Sequence, residues 1–162
     1  MKKTKFMMVG LTMFIFAAIV FAGCGNHGVG SIPQELTNSE KLWKDMGLRN
    51  YDFTLERQAF APEDWRGPVN IQVRDSVAVS VTYVSNSAAV TEGKFDNADT
   101  IDKLFTMLKN AYTGEGDFEQ KADTINVTYN AQMGYPTTFF IDISQTMADE
   151  EQGYTVTNLV AQ

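Results

Sequence analysis

The chain has 162 residues, with 13 Lys and Arg against 20 Asp and Glu, one His, one Cys and a formal net charge of −7. That length holds one domain or two very small ones, and a 44 % hydrophobic share excludes wholesale disorder. The acidic balance argues against a nucleic-acid partner, the single Cys excludes an internal disulfide and every multi-Cys zinc pattern, and the single His excludes a His pair on a metal.

Lys2, Lys3 and Lys5 form a basic start, and residues 6–22 follow without a charge. This apolar run is slightly long for the core of an export signal and slightly short for a membrane span. It ends in Phe21-Ala22-Gly23-Cys24, which resembles the lipobox of bacterial lipoproteins with Phe21 in place of the usual Leu. The resemblance implies that residues 1–23 are a lipoprotein signal peptide and that Cys24 becomes the acylated N-terminus, carrying palmitate-type chains. An uncleaved anchor helix with an incidental Cys is the alternative. Both readings put the rest of the chain outside the cytoplasm and on a membrane. Each buried methylene of an acyl chain contributes about 0.8 kcal/mol, so several chains on one Cys hold firmly. Loss of three Lys with the signal leaves the mature chain more acidic still, so lipid rather than charge would hold it to an anionic bilayer. Gly25 is not the Asp that retains such proteins in an inner membrane, which favours the outer membrane if the source is Gram-negative.

Residues 24–36 are rich in Gly, contain Pro33 and read as a lipidated Cys on a flexible tether, with His27 solvated within it. Residues 37–162 read as a single domain. Thr37-Asn38-Ser39-Glu40 fits a capping box, and Leu42, Trp43 and Met46 then share one face of a short helix that stops at Gly47. Tyr51, Phe53 and Leu55 alternate with polar residues as in a half-buried strand. Residues 59–68 read as a loop. Val69, Ile71 and Val73 form a second strand and Val77, Val79, Val81 and Tyr83 a third, joined by a tight turn at Arg74-Asp75-Ser76. Residues 85–99 lack periodicity and read as a loop.

Asp99 or Thr100 caps a second helix whose Ile101, Leu104, Phe105, Leu108 and Tyr112 make one apolar stripe, ended by Gly114 and Gly116. Ile125, Val127 and Tyr129 start a fourth strand. Gly134-Tyr135-Pro136 breaks the chain before Phe139, Ile141 and Ile143, and Tyr154 and Val156 begin the last strand. The expected fold is α+β: an antiparallel sheet of about six strands in α-βββ-α-βββ order, with two helices packed on one face. The other face would then carry Thr54, Glu56, Asn70, Gln72, Asn126 and Thr128.

Several strings recur together in order: Leu42-Trp43, Tyr51-x-Phe53, Ala59-Phe60-Ala61-Pro62, residues 100–105, Val127-Thr128-Tyr129, Gly134-Tyr135-Pro136-Thr137, Ile141-Asp142, and Asp149-Glu150 with Tyr154. The set resembles a domain-of-unknown-function family of bacterial secreted lipoproteins and covers nearly the whole mature chain. Relatives commonly carry Cys-Phe-Cys-Pro where this chain has Ala59-Phe60-Ala61-Pro62. Any disulfide or redox pair there is therefore lost, and the resemblance implies a fold and an envelope address but no activity.

Two groups of residues are candidates for function. Phe60, Trp65 and Arg66 lie in the loop after the first strand, where exposed aromatics and Arg would serve a partner. The competing reading folds Phe60 and Trp65 back over the end of the sheet. Asp142, Asp149 and Glu150, with Glu151, surround the last connection between strands. Clustered carboxylates suit a hard cation, although the spacing fits no EF-hand loop and a solvated, edge-protecting loop is the simpler reading. No Ser-x-x-Lys or Gly-x-Ser-x-Gly is present, so no catalytic residues and no cofactor are expected. The expectation is a lipid-anchored, non-catalytic binding or structural module of the bacterial envelope. Its partners would be the membrane, through Cys24, and an envelope protein. The alternatives are a carboxylate- or cation-dependent envelope hydrolase and a small-ligand carrier.

Overall fold

A computed structural model describes residues 31–162, so the segment read as an export signal, Cys24 and His27 lie outside the described residues. The alternating apolar runs form strands β1 (Tyr51–Ala59), β2 (Val69–Arg74), β3 (Val77–Tyr83), β4 (Thr124–Tyr129), β5 (Pro136–Asp142) and β6 (Gln152–Ala161). Helix α1 (Gln34–Asp45) precedes β1, α2 (Glu63–Arg66) lies between β1 and β2, and α3 (Ile101–Thr113) links β3 to β4. The architecture is mixed α+β, with one antiparallel sheet in the order β3-β2-β1-β6-β5-β4. The first three strands step outward to one edge. The last three return from the opposite edge, so that β6 closes against β1 in the centre.

One strand face is apolar. Tyr51, Phe53 and Leu55 of β1, Val69, Ile71 and Val73 of β2, Phe139 and Ile141 of β5, and Tyr154 and Val156 of β6 are buried in one cluster with the helices. Trp43 of α1 meets Tyr51 edge-on with ring centroids 5.2 Å apart, and the Tyr51 hydroxyl accepts the Ile101 N–H at the start of α3, 3.1 Å. Burial holds that hydroxyl's pKa far above the ordinary phenol range.

Three local expectations are corrected. α1 begins at Gln34, one turn before the supposed capping box; Thr37 Oγ1 instead donates to the Pro33 carbonyl, 3.3 Å, and Glu40 is occupied by lysines. Starting earlier turns Leu36 and Trp43 inward, two turns apart, and leaves Leu42 and Met46 37 % and 45 % exposed. In the β2–β3 hairpin, Asp75 and Ser76 both have positive φ, +50° and +68°, the two-residue turn whose twist suits the strands. The register then slips: Gln72 pairs with Ser80 but Val73 with Ala78, so Val79 bulges out and Ala78 takes the inward place. Val77 and Val79, expected inside with Val81 and Tyr83, are exposed. Finally, the loop over residues 59–68 carries the helical turn α2, and Phe95 and Ala98 of the next expected loop are fully buried.

α3 forms as its sequence implies. Thr100 Oγ1 accepts the Lys103 N–H at 3.2 Å, the apolar stripe is buried through Leu108, and Gly114 ends the helix at φ +75°.

The registers define two ends of the sheet. Ala59 pairs with Gln152, Gln152 with Ile141, and Asp142 with Thr124, so the end of β1, the β5–β6 connection and the start of β4 share one end. Tyr51 pairs with Val73 and Ala161, and Tyr129 with Pro136, at the other. α1 sits at this second end: Trp43 meets Tyr51 and Tyr135, and a Cβ on Gly134, at φ +83°, would collide with the Ser39 carbonyl. The chain from residue 31 therefore joins the domain at the end opposite the β1–β2 loop. β1, with nine residues, spans roughly 30 Å between the ends.

Candidate functional site

The far end, away from α1, gathers both groups of candidate residues. β1 delivers Phe60 beyond its last rung, and Pro62 with the acidic Glu63 and Asp64 starts the single turn of α2. Phe60 is 82 % exposed and Trp65 41 % exposed, so neither folds back into the core. The turn is held from below: the Tyr83 hydroxyl donates to the Asp64 carbonyl, 2.7 Å, and Lys94 is ion-paired with the Asp64 carboxylate. The Lys94 ammonium also stands 5.8 Å from the Trp65 ring, near enough for a cation–π contact. Arg66, exposed, closes the turn. These contacts fix the turn that carries Trp65, whose ring stays partly in solvent, while the Phe60 ring is almost wholly exposed.

Two strands along, about 10 Å across the sheet, β5 ends at Asp142 and the acidic connection begins. Burial raises the Asp142 pKa, and the charges of Glu150, Glu151 and Asp123 raise it further. Glu150 Oε1 accepts the Ser144 N–H and Asp123 Oδ2 the Gln145 N–H, each at 3.1 Å, so the loop ties itself down with its own carboxylates. One oxygen each of Asp142 and Glu150 is buried without a hydrogen-bond partner. Asp149 is exposed at φ +75°. Asp142 and Glu150 thus act on the same short connection, while Asp149 faces water. Among the described residues no group of three or more His, Cys, Asp or Glu is placed to hold a metal ion.

Arg57 completes this end. It continues the inward row of Tyr51, Phe53 and Leu55, and its guanidinium lies 5.0 Å from the Phe95 ring centre and 5.3 Å from that of Tyr154. Its Nη2 donates to Asn97 Oδ1 at 3.2 Å, while Nε is buried without a partner. A cleft of about 380 Å³ beside it is lined by Arg57, Gln58, Glu63 and Arg66. The signal for Arg57 was a cation in the inward register of an alternating strand, visible only if β1 runs past Glu56. On the opposite face of the sheet Glu56, Asn70, Gln72, Asn126 and Thr128 are exposed. Thr54, half-buried, donates to Asn70 Oδ1 at 2.9 Å. Phe140 is exposed in a cleft of about 460 Å³ there.

A family model spanning residues 35–161, from the start of α1 to the end of β6, matches this chain. The chain belongs to DUF6174, a family of unknown function. No curated protein and no solved structure matches it. The DUF6174 match covers every strand of the sheet and both groups of candidate residues. Among the described residues no helix is long and apolar enough to cross a membrane.

Proposed function

We propose that the chain is a lipid-anchored, non-catalytic binding or structural module of a bacterial cell envelope, tethered through Cys24 and meeting its partner with Phe60, Trp65 and Arg66. The observation that carries this reading is Phe60, the most exposed large apolar side chain of the described residues, at the end of the sheet opposite α1. A tether from Cys24 to Gln34 spans at most about 35 Å, enough to let the aromatic loop reach partners beside the bilayer or beyond it. Exposed aromatic and Arg side chains on a braced backbone suit a partner, because little conformational freedom is lost on contact. In this reading the order is α-βββ-α-βββ apart from the extra turn α2, and α1 and α3 cover one face while the other stays open. Trp43 and the Ile101 N–H, which meet the same Tyr51, support that arrangement.

Cross-linking the native lipoprotein in intact cells, beside a Trp65→Ala strain and one with a shortened tether, tests this reading. A stoichiometric partner captured by the native protein and lost in the variants is expected. Capture that neither change affects overturns it.

A carboxylate-dependent hydrolase is the second reading, favoured by the raised Asp142 carboxyl beside Glu150. It requires hydrolysis of an envelope substrate that disappears in Asp142→Asn with the fold intact. A ligand carried between sheet and helices finds less support, because the Trp43, Tyr51 and Tyr135 rings pack 5.2 to 6.2 Å apart there.

A further inference from the structure

The sheet face that carries Thr54 and Phe140 treats its polar side chains differently in its two halves. Toward β1 and β2 they are spent on one another. Thr54 donates to Asn70 Oδ1 at 2.9 Å, Asn158 Nδ2 donates to the Thr54 hydroxyl at 3.3 Å, and Asp52 is ion-paired with Arg74 at 2.6 Å. Toward β4 they are unspent. The pairings Asn126–Phe140, Phe140–Gly153 and Gly153–Gln58 set one row across β4, β5, β6 and β1, and Thr128, Thr138, Thr155 and Glu56 form the row beside it. Strands lie about 4.8 Å apart, so the first row measures roughly 14 Å from Asn126 to Gln58. Among the described residues the side chains of Gln58, Asn126, Thr128, Thr138 and Thr155 have no hydrogen-bond partner.

Phe140 stands inside this field. Its ring is 40 % exposed at an outward position, where alternation calls for a polar residue, and it meets no other ring among the described residues. Beside it Gly153 has no side chain, and Gln58 occupies the space above: a Cβ on Gly153 would stand 3.2 Å from Gln58 Cβ and 3.3 Å from its Oε1. An amide therefore flanks the ring on each side, Asn126 from β4 and Gln58 over Gly153. The cleft of about 460 Å³ that they line with the three threonines has no charged side chain in its wall. The charges next to it on this face are both carboxylates, Glu56 opposite Thr155 and Asp142 two residues beyond Phe140.

That composition selects a ligand. An exposed ring stacks on an apolar surface, amides and hydroxyls both donate and accept, and flanking carboxylates turn anions away. A sugar ring is the complement, with C–H groups on its faces and hydroxyls around its rim. We propose that this cleft binds an uncharged glycan, with one sugar ring stacked on Phe140 and its hydroxyls bonded to Asn126, Gln58 and Thr138. The row is long enough for a short run of such rings. A second copy of this face fits less well, because a two-fold contact would gather Glu56 and Asp142 of both copies around a cleft without a cation. The inference uses neither Phe60 nor Trp65 and stands apart from the loop reading.

The test titrates the full chain, in a detergent without a sugar headgroup, with neutral hexasaccharides of glucose, mannose and N-acetylglucosamine and with a hexamer of galacturonate. Calorimetry is expected to show a neutral hexasaccharide binding with a Kd at or below about 1 mM and the galacturonate about tenfold more weakly. Phe140→Ala should weaken the best ligand about tenfold and the exposed change Asn126→Ala about fivefold. Phe140→Trp, which keeps a ring, should bind at least as well as the native chain, and with Asn126→Ala it decides the matter if Phe140→Ala fails to fold. The proposal is overturned if no neutral hexasaccharide binds at about 1 mM, if galacturonate binds equally well, or if binding survives loss of the ring and of the Asn126 amide. A dimer that Phe140→Ala dissociates overturns it too, and assigns the cleft to a second copy. Trp65→Ala should leave the titration unchanged; a loss there moves the glycan to the aromatic loop and overturns this site, whereas a cross-linked partner that depends on Trp65 while no glycan binds leaves only the loop reading standing.

Discussion

Two regions of this molecule, the α1–α3 pair at one end and the acidic β5–β6 connection at the other, manage charge in opposite ways. At the end where α1 sits, carboxylates are met by cations: Glu40 takes Lys44 at 2.6 Å and Lys109 at 2.9 Å, joining α1 to α3, and Asp52 takes Arg74 at 2.6 Å. At the far end, residues 143–151 contain no Lys or Arg, and Asp142, Asp123, Glu150 and Glu151 share one region. The first arrangement is what a chain builds to hold two helices together. The second leaves a field unspent, beside rings that are exposed and a backbone that is braced. The difference separates a region whose charges join two helices from one whose charges are left to each other.

The largest effect that sharpens this contrast is expected in the packing beneath α1. Trp43 is almost fully buried and touches the Tyr51 and Tyr135 rings, so Trp43→Ala should cost about 3–5 kcal/mol in a urea titration. At the far end Phe60→Ala should change stability by no more than about 0.5 kcal/mol, because the ring has little to lose. Comparable losses from both variants would erase the distinction between the ends.

Glu40 provides the next effect. Burial pushes its carboxyl up, but the hydrogen bonds and charges of Lys44 and Lys109 outweigh burial, and the pKa lies below the ordinary 4.5. A depressed folded-state pKa contributes stability that is present above the unfolded value and lost as pH falls through the folded one. Glu40→Gln should therefore lower stability at neutral pH by about 0.2–1 kcal/mol for each ion pair, and the gap from the native chain should close below pH 4.5. Thermal melts across that window check the sign. A gap that persists at low pH would mean that Glu40 acts through packing rather than charge.

The strands were legible because burial imposes a period of two wherever one face meets a core: Tyr51, Phe53 and Leu55, or Phe139 and Ile141, announce their face without help. α3 was legible for the same reason at a period of 3.6, with Thr100 and Gly114 marking its ends. α1 was misread because Thr37 and Glu40 imitate a cap, while its true start rests on Pro33 and the burial of Leu36, which only the tertiary fold reveals. The bulge at Val79 was hidden because one extra residue reverses which Val faces inward, and no residue type marks it. At the candidate site, Phe60 and Trp65 were visible as types but not as exposed or folded back. That choice depends on Tyr83 and Lys94, which hold Asp64 of α2 from 19 and 30 residues away in sequence. Arg57 is not marked in the sequence because its strand runs four residues beyond Leu55, the last clear apolar position.

The smallest expected effect is also the one of opposite sign. Asp142 is raised above its ordinary 3.8 by burial first and then by Glu150, Glu151 and Asp123. For a carboxyl so shifted, the fold favours the protonated form, and this contribution is present below the unfolded pKa and lost as pH rises through the folded one. Asp142→Asn keeps the shape and removes the charge, so its melting temperature should exceed that of the native chain at neutral pH. The difference should shrink as the native carboxyl protonates toward pH 3.8. Glu40→Gln and Asp142→Asn measured side by side then move in opposite directions at neutral pH and converge on the native chain in acid. If Asp142→Asn proves destabilising at neutral pH, the Ser144 N–H held by the charged carboxylate outweighs burial and the neighbouring acids. If the two variants diverge as expected, burial and the neighbouring carboxylates together outweigh that hydrogen bond at Asp142, whereas the lysines outweigh burial at Glu40.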